Sequence, residues 1–167
     1  MNDGENGLVE VKIGALIMDP NTNTPIVVLK GIESETVLPI WVGAFEANAI
    51  ALEIEKIVPQ RPMTHDLLRN VISDLKASVE RIVVCDLQDN TYYALIYLNR
   101  NGETMAIDAR PSDAIALALR TRAPIYVEET VIDHAKTVDF TPEKPDSDRL
   151  HKWLESLDPD DLGKYKM

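Results

Sequence analysis

Residues 109–122 read ARPSDAIALALRTR. The run Ala114–Leu119 is wholly apolar and belongs inside a fold, as helix or strand. What precedes it decides for helix. Proline at a first helical position is pre-set in φ, and Ser112 and Asp113 suit the free N–H groups and the positive end of the helix dipole. Ala123-Pro124 ends the element. Capping accounts for Pro111, Ser112 and Asp113. It does not account for Arg110, a positive charge beside the positive helix end, which is better placed to receive an anion such as a phosphate.

Working outward, ETMAIDA (103–109) reads as a strand, entered from TYYALIYLN (91–99) through Asn101-Gly102, a short-turn signal. QDN joins that strand to VERIVVCDL (79–87) as a hairpin-like turn. IYVEE (125–129) is a short later strand. Toward the N-terminus, LVEVKIGALIMD (8–19), IVVLK (26–30) and TVLPIWV (36–42) are strands, with Pro39 arguing for an edge or bulged position in the last. EANAIALEIEKIV (46–58) changes to helical spacing, and Pro59 and Pro62 close it. THDLLRNVISDLKA (64–77) is a second amphipathic helix. Thr64 is its expected N-cap, and Leu67, Leu68, Val71, Ile72 and Leu75 its expected buried stripe.

The string AIAL occurs at 49–52 and again at 114–117, an offset of 65 that matches Asn48 with Asp113. Both copies follow strand, tight turn, polar residue and apolar helix, which suggests a duplicated unit. The expected class is α+β: a mixed, largely antiparallel β-sheet packed with helices. Residues 1–134 form the domain, and 135–167 an acidic linker and a short C-terminal helix. In that tail SDRLHKWLESL (147–157) has helical spacing at Leu150, Trp153, Leu154 and Leu157, with Ser147 as cap.

The bulk composition bounds the function. With 45% hydrophobic residues the chain can bury a core. No apolar run approaches the ~18 residues of a membrane span, and the acidic MNDGENGLVE is not a targeting segment. The single cysteine, Cys85, lies in an apolar run and reads as a buried, inert thiol, in keeping with a reducing, cytoplasmic setting. The net charge of −11 is spread along the chain, −6 over residues 1–127 and −5 over 128–167. Polyanion binding therefore needs a local basic cluster or bound cations.

Three constellations could carry chemistry. Arg110, Ser112 and Asp113 form the first. RPMTHDLL (61–68) is the second, with Arg61 before a helix start and His65 and Asp66 in its first turn, where they could join a proton-transfer or cation site with groups from elsewhere. Glu46 and Glu53 are the third, seven apart on one helical edge. Asp108 closes the strand before Arg110. All stand near strand-to-helix junctions. If the two echoing units pack side by side, carboxylates and an imidazole meet two arginines. Such a site could hold Mg²⁺ or Mn²⁺ through Glu46 and Asp113 and act on a phosphodiester.

At LPIWVGAFEANAIAL, RPMTHDLL and above all DARPSDAIALALR, the sequence resembles the bifunctional nuclease domain family, whose members are described as cleaving DNA and RNA. The resemblance covers roughly residues 8–134. It implies an α+β fold with a mixed sheet and a homo-oligomer. Carried over by position, its motif residues are Glu46, Arg61, His65, Asp66, Arg110, Ser112 and Asp113. The expected activity is then phosphodiester hydrolysis in DNA and RNA with divalent-metal assistance. Glu46, His65, Asp66 and Asp113 would be catalytic, and Arg61, Arg110 and Ser112 would bind substrate. The rival reading is a non-enzymatic oligomeric module that binds a small anionic ligand or a protein partner in the same pocket. The enzyme reading requires the carboxylates, His65 and Arg110 to converge.

Overall fold

The computed structural model describes residues 7–135. Each half of this region is a three-strand antiparallel meander followed by a helix. The first runs β1 (Leu8–Met18), β2 (Pro25–Gly31), β3 (Val37–Trp41) and α1 (Ala44–Ile54). After α2 (Thr64–Asp74), the second runs β4 (Ala77–Gln88), β5 (Thr91–Arg100), β6 (Glu103–Ala109) and α3 (Pro111–Thr121). Then β7 (Ile125–Glu128) and α4 (Glu129–Ala135) follow. The seven-stranded sheet has the order β3-β2-β1-β7-β4-β5-β6, so among the described strands β7 alone joins the two meanders. It pairs antiparallel with β1, Leu8 opposite Glu128, and parallel with β4, Ile82 opposite Ile125. The class is α+β with a mostly antiparallel sheet, as the sequence implies.

Turn chemistry fixes the second meander. β4 and β5 are joined by Asp89-Asn90 and β5 and β6 by Asn101-Gly102, and all four residues have positive φ. Two residues with positive φ make the mirror-image turn whose twist matches a hairpin. β3 and β6, the strands that feed α1 and α3, are the two edges of the sheet. Pro39 therefore costs no ladder bond on the open side of β3.

The helices pack on the sheet as one layer. In α1 the run Ala47–Leu52 is buried, and in α3 Ala114–Ala118 is buried. Their alternating alanines let α1 and α3 approach closely, and α2 also packs against α3. Ile50, Ile115, Val127 and Ile82 share one hydrophobic cluster with Val131 and Ile132 of α4.

Three expectations are corrected. Met63, not Thr64, is the N-cap of α2. The stripe of α2 is not buried: Leu67, Val71 and Leu75 are 57%, 46% and 56% exposed, and Leu68 is also exposed. Ile72 alone of the stripe packs against the core, because His65 and Asp66 turn the opposite face of the helix toward α3. The echo also holds at a different offset. By position in the helix, Glu46 matches Asp113, each third after its cap. The matched string AIAL therefore sits two residues out of structural register. The expected tail helix at 147–157 lies outside the described residues.

Candidate active site at three helix starts

Each of α1, α2 and α3 carries an acid three residues after its cap: Glu46, Asp66 and Asp113. That place favours a negative charge through the helix dipole. None of the three helices has the side-chain cap hydrogen bond that an N-cap residue can give.

One chain of contacts joins α1, α2 and α3. His65 Nε2 lies 2.8 Å from Asp113 Oδ1. Arg110 Nε donates to Asp113 Oδ2 at 2.9 Å, and its outer nitrogen reaches Glu46 Oε1 at 2.6 Å. The helix starts of both halves thus share a single guanidinium. Asp113's hydrogen bond and charge, then those of Glu46, hold Arg110 firmly protonated above the usual arginine range. The Arg110 side chain is still 66% exposed, while those of His65 and Glu46 are largely covered. An exposed guanidinium over a buried acid–imidazole pair can meet an anion that arrives from solvent. At 2.8 Å from Nε2 the Asp113 carboxyl group orients the imidazole. Gly43 makes room for this arrangement. A Cβ there would lie 2.6 Å from Glu46 Oε2.

A second network stands beside the first. Arg120 belongs to none of the three sequence constellations, yet its side chain is only 1% exposed. Its Nε donates to Asp66 Oδ1 at 2.7 Å, and its outer nitrogens donate to the carbonyls of Ala116 and Ala49 at 2.9 Å. Glu53 lies 4.0 Å away. Asp66 Oδ2 accepts the Met63 amide at 3.0 Å. Burial pushes the Asp66 carboxyl up, but the Met63 amide and Arg120 outweigh it, so Asp66 lies below the usual carboxylate range. Asp113 and Arg120 stand seven residues apart on α3, roughly 10 Å along its axis. Adjacent residues His65 and Asp66 reach one each, so α2 starts across the flank of α3.

The remaining expected residues fall elsewhere. Ser112 is buried in the first turn of α3, and Asp108 is exposed on edge strand β6. Arg61 lies with Glu53, Ile57, Val58, Asp66 and Arg69 around an open cleft of about 230 Å³. Arg61 makes no ion pair with another described residue. Asn48 is buried in α1, and its Oδ1 has no hydrogen-bond partner among the described residues. Cys85 is half-buried, and burial raises its thiol pKa, the direction of an unreactive cysteine.

The donor set does not fit a preformed metal centre. Both oxygens of Asp113 and Oε1 of Glu46 are already bonded to cationic or imidazole groups. Among the described residues no three His, Cys, Asp or Glu side chains are arranged to hold an ion.

A paired meander whose helix starts pool two carboxylates, an imidazole and an arginine defines an α+β domain with a polar site between its halves. The chain matches the bifunctional nuclease domain over residues 27–139 and belongs to that family. It is 37% identical to an uncharacterized protein of Mycobacterium tuberculosis (strain ATCC 25618 / H37Rv) over 92% of this chain and 97% of that one. It is 27% identical to bifunctional nuclease 1 of Oryza sativa subsp. indica over 65% of this chain and 34% of that protein. Bifunctional nuclease 2 of Arabidopsis thaliana is 27% identical over 63% of this chain and 35% of its own length. The chain thus matches about a third of each plant protein. No helix among the described residues is long and apolar enough to cross a membrane.

Proposed function

We propose that this protein is a nuclease that hydrolyses phosphodiester bonds of DNA and RNA at the junction of α1, α2 and α3. The observation that carries the proposal is the contact chain His65–Asp113–Arg110–Glu46, which unites the motif residues of both halves. Arg110 binds the phosphate and stabilises the charge that develops on it. Water is the nucleophile. His65, oriented by Asp113, takes the proton as the water oxygen bonds to phosphorus and returns one to the departing oxygen. Glu46 holds the Arg110 guanidinium in place. Asp66 acts through Arg120, by fixing the start of α2 and hence His65. Arg61 and Arg69, in the cleft beside Glu53 and Asp66, offer guanidinium groups to a flanking phosphate, and Ser112 lies in the first turn of α3. The plant relatives named bifunctional nucleases support the activity class. Divalent-metal assistance is the part of the proposal that the donor set favours least, and no step here runs through it.

The test is cleavage of single- and double-stranded DNA and RNA by the purified chain, with Mg²⁺, with Mn²⁺ and with EDTA. Arg110→Ala, His65→Ala and Asp113→Asn are expected to lose cleavage by 10²-fold or more, the usual scale for removing an acid–base or charge-stabilising group. Cleavage that is unchanged in all three folded variants would sink the assignment. Loss in EDTA that either ion restores would establish metal assistance.

A further inference from the structure

We propose that edge strand β6 is an interface at which two copies of this chain pair, β6 against β6, into one continuous sheet. An unpaired edge is a template for a further strand, and stable monomers blunt it with proline, lysine, a bulge or brevity. β3 is blunted in this way: it has five residues and carries Pro39. β6 has seven residues with neither proline nor lysine, and its ladder with β5 runs without a register shift. Residues 103–108 are all exposed. Met105 and Ile107 stand opposite Leu98 and Ile96 of the core cluster, on the face that carries the helices, yet they are 40% and 44% exposed. Along this edge the core is open to water.

The strand is complementary to itself, which selects a second copy as its occupant. In antiparallel pairing the seven residues overlap fully in one register, centred on Ala106. Met105 then faces Ile107 of the second copy, and Ile107 faces its Met105, so the two open core edges close on each other on the helix side. Each acid faces a neutral residue. Glu103 faces Ala109, and Asp108 faces Thr104, a hydrogen-bond donor. Charge admits the copy as well. The chain carries −11 overall, but residues 100–110 balance Arg100 and Arg110 against Glu103 and Asp108. The pairing also reaches the site. Glu103 of the second copy comes opposite Ala109, the residue before Arg110, with Cβ atoms ~5 Å apart. Each copy thus sets a carboxylate beside the other's exposed Arg110 guanidinium.

Sedimentation equilibrium of the full-length chain over roughly 1–300 μM should show monomer and dimer in exchange, with a dissociation constant on the order of 10 μM for an interface this small. Met105→Lys with Ile107→Lys sets like charges face to face and should weaken the dimer about tenfold or more. Native circular dichroism is expected for that variant, since both positions are exposed. In a Cys85→Ala background, Ala106→Cys lies on the twofold axis, where facing Cα atoms are ~5 Å apart, and should form an intermolecular disulfide on oxidation. Thr104→Cys should not, because in this register its two copies lie ~14 Å apart. A chain that is monomeric throughout the range overturns the proposal. So does a dimer that the lysine substitutions leave intact, because the contact then lies elsewhere. Cross-linking no faster at position 106 than at 104 would overturn it too, and that comparison stands even if the lysine variant fails to fold. None of these readouts uses cleavage, so they stand apart from the nuclease assignment.

Discussion

Replacing Arg120 by methionine removes one partner of a buried ion pair while keeping the length of the side chain. In the folded chain Asp66 would then stand in a covered site with the Met63 amide as its remaining bond. The carbonyls of Ala49 and Ala116 would lose their guanidinium donors as well. Breaking a buried pair from one side costs about 3–5 kcal/mol. That is a large share of the ~5–15 kcal/mol that holds a domain together. At about 3 °C per kcal/mol for this size, Tm should fall by roughly 10–15 °C. The assay is urea unfolding followed by circular dichroism, with the slope checked for constancy. Asp66→Leu with Arg120→Met removes both charges and should recover at least ~2 kcal/mol of the loss, a coupling that a double-mutant cycle reads directly. The pH dependence has a definite sign. Asp66 lies below the usual range in the native chain, so its contribution is present above pH ~4 and is lost as pH falls through its folded pKa. In Arg120→Met the isolated carboxyl is driven upward instead, so the gap between variant and native chain narrows on acidification. A single-variant cost under ~1 kcal/mol, or a double variant no better than the single, would refute the keystone role.

Gly43→Ala should change stability by no more than about 1 kcal/mol, since φ at this position is ordinary, yet displace the Glu46 carboxylate and lower activity about tenfold. A crystal structure of the variant with the Arg110–Glu46 contact intact would contradict this. Asn48→Leu, close in volume, removes a buried oxygen without a partner and should stabilise the chain by about 1 kcal/mol in urea unfolding. A loss of stability would show that the amide is satisfied in solution. Val127→Pro removes a ladder hydrogen bond from a strand paired on both sides and should abolish cooperative unfolding, as seen in calorimetry. A variant with a native-like transition would mean that β7 is dispensable.

The residues that announce themselves locally were legible. Pro111, Ser112 and Asp113 start a helix by short-range chemistry, Asn101-Gly102 closes a hairpin, and Pro39 marks an edge, all within a few residues of chain. The direction of α2 was not legible in this way. Periodicity finds a stripe on a helix but not whether the domain core or something else covers it. There the polar His65 and Asp66 won the inward face through partners 48 and 54 residues away. Arg120 was hidden for the same reason. At the end of ALALR it reads as a favourable charge at a helix C-terminus, while its burial rests on Ala49, 71 residues distant. Its signal was present in the spacing: Arg120 follows Asp113 by seven, hence on the same side of α3 as the site. The duplication was visible in AIAL, but four common letters aligned it two residues out of register. The equivalence of Glu46 and Asp113 needed the helix starts themselves.

The four residues of β7 give the molecule an order of assembly. The ladders within the two meanders close over short hairpins, but among the described strands the meanders are stitched into one sheet only by Ile125–Glu128. Glu46 belongs to the first half, Arg110 and Asp113 to the second, and His65 to the segment between. A chain emerging from synthesis therefore carries each part of the site before it has the strand that closes the frame. The site thus depends on a strand that none of its residues occupies.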